Sequence, residues 1–411
     1  MLQLSFVTFK RDSYIVVEGK ENADRFFIIN QGKVRISKGI EVVAEEGGNV
    51  LGSGDFFGVV STLSSHSHIE TAQAVTDVVL ISVRKEQYSE LIQKNTPVAM
   101  KIILQFSKRL RYLDEALSRL TLKSHAEMDI SHLFDIAEYY VRLSQYKQAF
   151  YAYSKYIEHC PGGVNVPLAQ ERMQKIAIYV KDVRTSFGPE EFNRTYFKDS
   201  MLFCEEEPGH ELFIIQKGAV KIVKIINNNE VLLAVLKTGD IFGEMALLES
   251  KPRAASAVAY DDCQVLAVNR ANFQRMISTQ PQLIAKLTTL LADRIWFIYK
   301  QLANTLFTDP VGRMYDLLHI QLEKNRIPIT TTKSYTFDFG PKELANMIGL
   351  PQSETNLVLR KVLENKSIQI KDNKIHVIRV NEILKQSEYY RKMQRIEKSR
   401  IEARSQNSPV M

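Results

Sequence analysis

Glu244 and Arg253 stand nine positions apart in "FGEMALLESKPRAASAVA" (residues 242–259), a run otherwise made mostly of small and apolar residues. Charged side chains seldom sit in such company without something to pair with. The chemistry these types offer is anion recognition. A guanidinium is a planar fork that matches two phosphate oxygens. Residues 244–248 are expected to form a short helical turn after Gly243, whose first amides are free to face an anion. Pro252 sets the bend that returns Arg253 towards that turn. An ionised Glu244 only accepts hydrogen bonds and so suits a sugar hydroxyl. Ala246, Ala254, Ala255 and Ala257 keep the walls close. Gly243, Glu244, Met245, Ala246, Arg253 and Ala254 therefore form a candidate site for a molecule with one phosphate and a ribose. A buried structural Glu–Arg pair is the competing reading.

Other chemistries find little support. No nucleophile–base pair, metal cluster or nucleotide-triphosphate loop stands out, so neither an enzyme nor a cofactor is expected. Cys160, Cys204 and Cys263 are scattered and lack metal-type spacing, which reads as structural thiols. His66 and His68 are expected to alternate on one strand face, but no third ligand lies nearby. No uncharged run approaches the roughly 18 residues of a membrane span, and the chain reads as cytoplasmic with no membrane partner. The net charge of +7 is uneven: residues 309–411 hold 18 Lys/Arg against 12 Asp/Glu. A basic end invites an anionic partner such as nucleic acid, the alternative being a solvated tail.

The elements that must position the site repeat themselves. "GDFFGVVSTLSSHSHIETAQAV" (54–75) answers "GDIFGEMALLESKPRAASAV" (239–258) at an offset of 185 residues, and "FFIINQGKVRI" (26–36) answers "LFIIQKGAVKI" (212–222). Each copy opens with short apolar or alternating runs broken by Gly, Asp, Asn or Pro, the pattern of strands joined by tight turns. After Pro97 and Pro281 the period becomes helical, with Leu287, Leu291, Ile295, Ile298 and Leu302 on one stripe. That stripe reads as core packing or as a coiled-coil homodimer seam. In the first copy Glu244 becomes Val59 and Arg253 becomes His68, so the site is lost there. A degenerate domain kept for packing or dimerisation is expected.

Between the copies, "LFDIAEYYVRLSQYKQAFYAYSKYIEHCP" (133–161) resembles one tetratricopeptide-type helical hairpin. A lone repeat forms no solenoid, so it reads as a spacer with protein docking as an alternative. From Asp309 the pattern gives helix 310–324, a β-branched segment 327–339, helix 341–348, a turn at Gly349, helix 352–364 and a strand pair 367–378. Helices joined by a tight turn and closed by a hairpin describe a winged helix-turn-helix. The charged stretch 381–404 reads as a solvated helix.

The quoted stretch closely resembles the phosphate-binding cassette of cyclic-nucleotide-binding domains, and residues 190–380 resemble transcription regulators of the cyclic-AMP-receptor/fumarate–nitrate-regulator (Crp/Fnr) type. The resemblance implies an α+β multidomain chain: a degenerate β-roll (1–120), a tetratricopeptide-like linker (121–188), a jelly-roll-like sensor (189–280), a dimerisation helix (281–308), a DNA-binding winged helix-turn-helix (309–380) and a charged tail (381–411). It implies that Glu244 holds the ribose 2′-hydroxyl and Arg253 the cyclic phosphate, with Ala254 favouring cyclic AMP. The helix positions that meet the base hold Ile298 and Tyr299, and Tyr299 or Trp296 can cap a purine by stacking. On the recognition helix Gln352, Ser353, Asn356, Arg360 and Lys361 are the expected DNA contacts. The function implied is a homodimeric, cyclic-nucleotide-responsive regulator bound to double-stranded DNA. The alternative is a cyclic-nucleotide-binding scaffold acting through protein contacts.

Overall fold

The two copies fold into two β-rolls of one topology. In the computed structural model, which describes all residues except 1–4, 22, 39–48, 123–129, 181–182, 189, 227–228, 351 and 407–411, the first roll has two antiparallel sheets. One runs Ser5–Phe9, Val78–Arg84, Arg25–Gln31, Phe56–Phe57; the other runs Tyr14–Val16, Thr71–Ala74, Val34–Ser37, Val50–Leu51. The second roll repeats both orders with Asn193–Tyr196, Cys263–Asn269, Glu211–Lys217, Ile241–Phe242 and with Met201–Phe203, Ser256–Ala259, Ala219–Ile226, Asn229–Lys237. Alternating apolar side chains make the cores: Phe27, Ile29, Val34 and Leu80 in the first, Phe203, Phe213, Val220 and Phe242 in the second.

Each roll is followed by a short helix and a long one: Tyr88–Lys94 then Thr96–Leu122, and Arg270–Thr279 then Pro281–Thr305. The chain divides into two compact units. One gathers Glu86–Arg111 and Ser124–Leu291; the other gathers Leu4–Lys85, Tyr112–Lys123 and Ala292–Met411. The leading part of the first long helix thus belongs with the second roll, and the trailing part of the second long helix with the first roll. In the unit of the second roll, the buried Tyr88 hydroxyl donates to Thr288 Oγ1 at 3.2 Å. The stripe Leu287, Leu291, Ile295, Ile298 and Leu302 is buried within the chain. Of the two readings of that stripe, core packing is the one this burial matches.

The unit of the second roll also contains three helices, His132–Arg142, Tyr146–His159 and Val166–Ile176. Their apolar faces share a core with Met201, Cys204, Val223, Ile225 and Val258 of the roll. Polar bonds fix the fit: Tyr140 donates to Glu230 at 3.1 Å, the Glu230 amide donates to the Tyr139 hydroxyl at 2.9 Å, and Lys221 pairs with Glu230 at 2.7 Å. The tyrosine face of 133–161, read as a spacer with protein docking as the alternative, packs on the chain's own roll.

In the other unit, Pro310–Lys324, Pro341–Met347, Gln352–Leu363 and a three-stranded sheet (Tyr335–Thr336, Lys374–Val377, Ile368–Lys371) form a C-terminal module. The β-branched segment 327–339 yields only the strand Tyr335–Thr336. Asp309 caps the first helix by accepting from the amides of Val311 and Gly312. The last helix, Val380–Gln406, is not a solvated tail at its start. Val380 and Ile383 enter the module's core, and Arg391 and Ser387 both reach Asp316, at 2.6 and 3.2 Å.

Candidate functional site

Gly243 precedes the cassette helix Glu244–Glu249 at φ 74°, a left-handed conformation that a side chain would strain. From there Glu244, Met245 and Ala246 turn inward and are buried. Ser250, at φ 55°, ends the helix, and the chain returns through Pro252. The turn carrying Arg253 is pinned by the backbone: its amide donates to Glu207 O and its carbonyl accepts from the Glu206 amide, both at 2.9 Å.

Only 4% of Arg253 is exposed. Its Nη1 donates to Glu211 O at 2.8 Å and to Gly243 O at 2.7 Å, and its guanidinium lies 4.2 Å from the centroid of the Phe203 ring. Its Nε is buried without a hydrogen-bond partner among the described residues. A buried donor of this kind costs about 1–3 kcal/mol until something accepts from it. The walls are close. A Cβ on Gly209 would stand 2.5 Å from Arg253 Nε, and one on Gly243 2.7 Å from Nη1. Glycine at both places lets the chain close around a guanidinium whose Nε has no hydrogen-bond partner among the described residues. Burial is the largest influence on Arg253 and draws its pKa down, while Glu207, Tyr151, Glu211 and Glu244 act in the opposite direction.

Two outlying supports hold this cassette. On one side, Tyr151 of the helix Tyr146–His159 donates to both Glu207 carboxylate oxygens, at 3.2 and 3.1 Å, and Lys155 lies 3.8 Å from the same carboxylate. Burial pushes the Glu207 carboxyl upward, with Lys155 the first opposing influence. On another side the first long helix grips the cassette. Ser107 donates to Glu249 Oε1 at 2.7 Å, Arg111 Nε donates to Oε2 at 3.0 Å, and Arg111 Nη1 donates to Pro252 O at 3.2 Å. That carbonyl belongs to the peptide bond entering Arg253.

The structure brings Gly243, Glu244, Met245, Ala246, Arg253 and Ala254 together as one cassette. Ile298 and Tyr299 are not part of it. Both are buried in the unit of the first roll, where Lys38 Nζ stands 5.8 Å from the Tyr299 ring centroid. The reason is the exchange of long helices: the residues that grip the second cassette come from the first copy. Alignment of each copy with its own following helix hides this, and Ser107 and Arg111 carried no motif by which to find them. His66 and His68 lie in the irregular segment after the first cassette helix rather than on a strand. Among the described residues no group of three or more His, Cys, Asp or Glu is arranged to hold a metal, and no helix is long and apolar enough to cross a membrane.

In the C-terminal module, Val358 and Val362 face the core while Ser353, Glu354, Asn356, Arg360 and Lys361 are exposed. Gln352 opens that helix, its side chain lying outside the described set. Lys371 and Lys374 flank the hairpin turn, where Asp372 and Asn373 both take positive φ.

Roll topology and cassette together define a cyclic-nucleotide-binding domain, present twice. The profile described as "Cyclic nucleotide-binding domain" matches residues 6–95 and again 193–280. The chain's relatives are regulators of the Crp/Fnr type. It is 28% identical over 180 residues to the CRP-like cAMP-activated global transcriptional regulator of Mycobacterium tuberculosis, covering 42% of this chain and 80% of that one. It is 27% identical over 191 residues to the cyclic AMP receptor protein of Thermus thermophilus, covering 45% and 82%. Among solved structures, a CooA variant from Carboxydothermus hydrogenoformans shares 18% identity at a TM-score of 0.41, covering 48% of this chain and 87% of that one.

Proposed function

We propose that the chain is a DNA-binding transcription regulator that responds to a cyclic nucleotide, cyclic AMP, bound in the second cassette. The observation that carries this reading is Arg253: buried, ringed by glycines, with its Nε donor unspent. In this reading the guanidinium takes the cyclic phosphate, Glu244 accepts from the ribose hydroxyl, and Ala246 and Ala254 line the wall. The C-terminal module presents Ser353, Asn356, Arg360 and Lys361 to DNA, with Gln352 at the start of the same helix. The exposed polar face of that helix and the flanking lysines support phosphate neutralisation and base contact. The same reading has the protein cytoplasmic and not an enzyme. The reading keeps the homodimer, and the stripe of the helix Pro281–Thr305 is buried within each chain.

A ligand shifts a conformational equilibrium only through contacts that differ between the states. Here the anion would accept from Arg253, draw the guanidinium from Gly243 O and Glu211 O, and so load the turn that Arg111 and Glu207 hold. Titration calorimetry with cyclic AMP and cyclic GMP tests the reading. Arg253→Ala is expected to weaken binding by about 2–3 kcal/mol, roughly 30- to 150-fold. Absence of binding to either nucleotide, or an affinity unmoved by Arg253→Ala, refutes it.

A further inference from the structure

The first cassette keeps the backbone of the second and changes its contents. Gly58 again precedes the short helix with φ 76°. At the position of Ala255 stands Glu70, buried, whose Oε1 accepts the Gly58 amide at 2.8 Å. The chain's own carboxylate thus fills the part of the cassette where an anion would be received. His68, in place of Arg253, carries no permanent charge; burial lowers its pKa, and its Nδ1 lacks a hydrogen-bond partner among the described residues. A carboxylate and an imidazole form a poor seat for a phosphodiester.

The outer edge of this cassette is engaged elsewhere in its unit. The Trp296 ring stacks on His66 at 3.9 Å between centroids and 17° between planes, and its Nε1 donates to Ser67 O at 3.2 Å. Arg326, in the turn after the helix Pro310–Lys324 of the C-terminal module, donates from Nη2 to Ser64 O at 3.2 Å. Asp293 stands between them, its Oδ1 being 3.5 Å from His66 Nε2 and 3.8 Å from Arg326 Nη2. Lys324 Nζ lies 4.1 Å from the Phe297 ring centroid and is buried enough that its pKa falls.

We propose that the first copy has exchanged ligand binding for a second function, a seat for the C-terminal module: Glu70 fills its cassette, and Ser64, His66 and Ser67 hold Arg326 and Trp296. This goes beyond nucleotide sensing and holds whatever the second cassette binds. The seat fixes the first turn of connection between module and roll, so the module's helices are protected from opening by contacts outside their own core.

The test uses the full chain. Arg326→Gly removes the guanidinium and suits the φ of 54° that Arg326 adopts, so it adds no backbone strain. Asp293→Asn is the second variant, leaving the turn untouched. Hydrogen–deuterium exchange is followed in Pro310–Lys324 and Pro341–Met347, and emission is read from Trp296, the single tryptophan. Both variants are expected to raise exchange in these helices about tenfold and to shift the emission, with the second roll unchanged. Exchange and emission that match the parent protein overturn the proposal. A cyclic AMP titration of the parent keeps the two readings apart: a protein that binds no nucleotide defeats the proposed function, while the exchange comparison still decides the seat.

Discussion

Arg111→Met separates the grip on the second cassette from the anion site itself. In the parent protein Glu249 and Arg111 are nearly sealed from solvent, with 2% and 3% of their side chains exposed, and sit 3.0 Å apart. Removing the guanidinium leaves the Glu249 carboxylate with Ser107 at 2.7 Å and Lys251 at 3.8 Å, the latter more than half exposed. Stranding one partner of a buried pair costs about 3–5 kcal/mol, whereas replacing both with apolar groups of similar volume is close to neutral. The single variant should therefore lose most of that amount, and Arg111→Met with Glu249→Met should regain at least half. Native-state exchange of the strand Ser256–Ala259 in rising urea reports on this unit without mixing in the other. Pro252 O also loses its donor, so the cyclic nucleotide affinity of the single variant is expected to fall about tenfold. A loss under about 1 kcal/mol, or a double variant no better than the single one, would show that the grip adds nothing.

Glu205 is buried and accepts the Ile225 amide at 2.9 Å, and burial pushes its carboxyl up to about 7 from 4.5. Because the folded value is the higher one, its contribution is whole below about pH 4.5 and is lost as pH rises through about 7. Unfolding free energies from urea titrations across that window should decline by up to ~3 kcal/mol in the parent protein and stay flatter in Glu205→Gln; parallel curves would contradict it. Gly209→Ala places a Cβ 2.5 Å from Arg253 Nε and 2.6 Å from the Ala246 Cβ, so the guanidinium or the cassette helix must shift. It should cost about 1–3 kcal/mol in stability and at least about tenfold in nucleotide affinity by calorimetry, and parent-like binding would remove the cradle from the argument.

The duplicated roll was legible because turn and strand chemistry are local: the same Gly-Asp-x-Phe-Gly step opens both cassettes. The cassette was legible for a related reason, since Gly243 and Arg253 lie on one short stretch and need only a bend at Pro252 to meet. What lay beyond reach was non-local. Helical spacing says that Leu291 and Ile295 are buried but not against which roll, so it could not tell that Ile298 and Tyr299 lie in the unit of the first roll. Ser107, Arg111 and Tyr151 are single polar residues whose roles arise only when distant segments meet. The helix Val166–Ile176 was missed because only Ala169 and Ile176 of it are buried, too few to set a period. Val380 and Ile383 were hidden by the charged residues around them.

Because the long helices are traded between the rolls, the molecule resists dissection along its own order. A fragment ending at residue 120 would carry the first roll without Trp296, losing the ring stacked on His66 and the donor to Ser67 O. A fragment beginning at residue 189 would strip Ser107 and Arg111 from the sensor together with the tyrosines that brace it. Each roll thus keeps polar partners that lie far from it along the chain, and a cut at either boundary would part them.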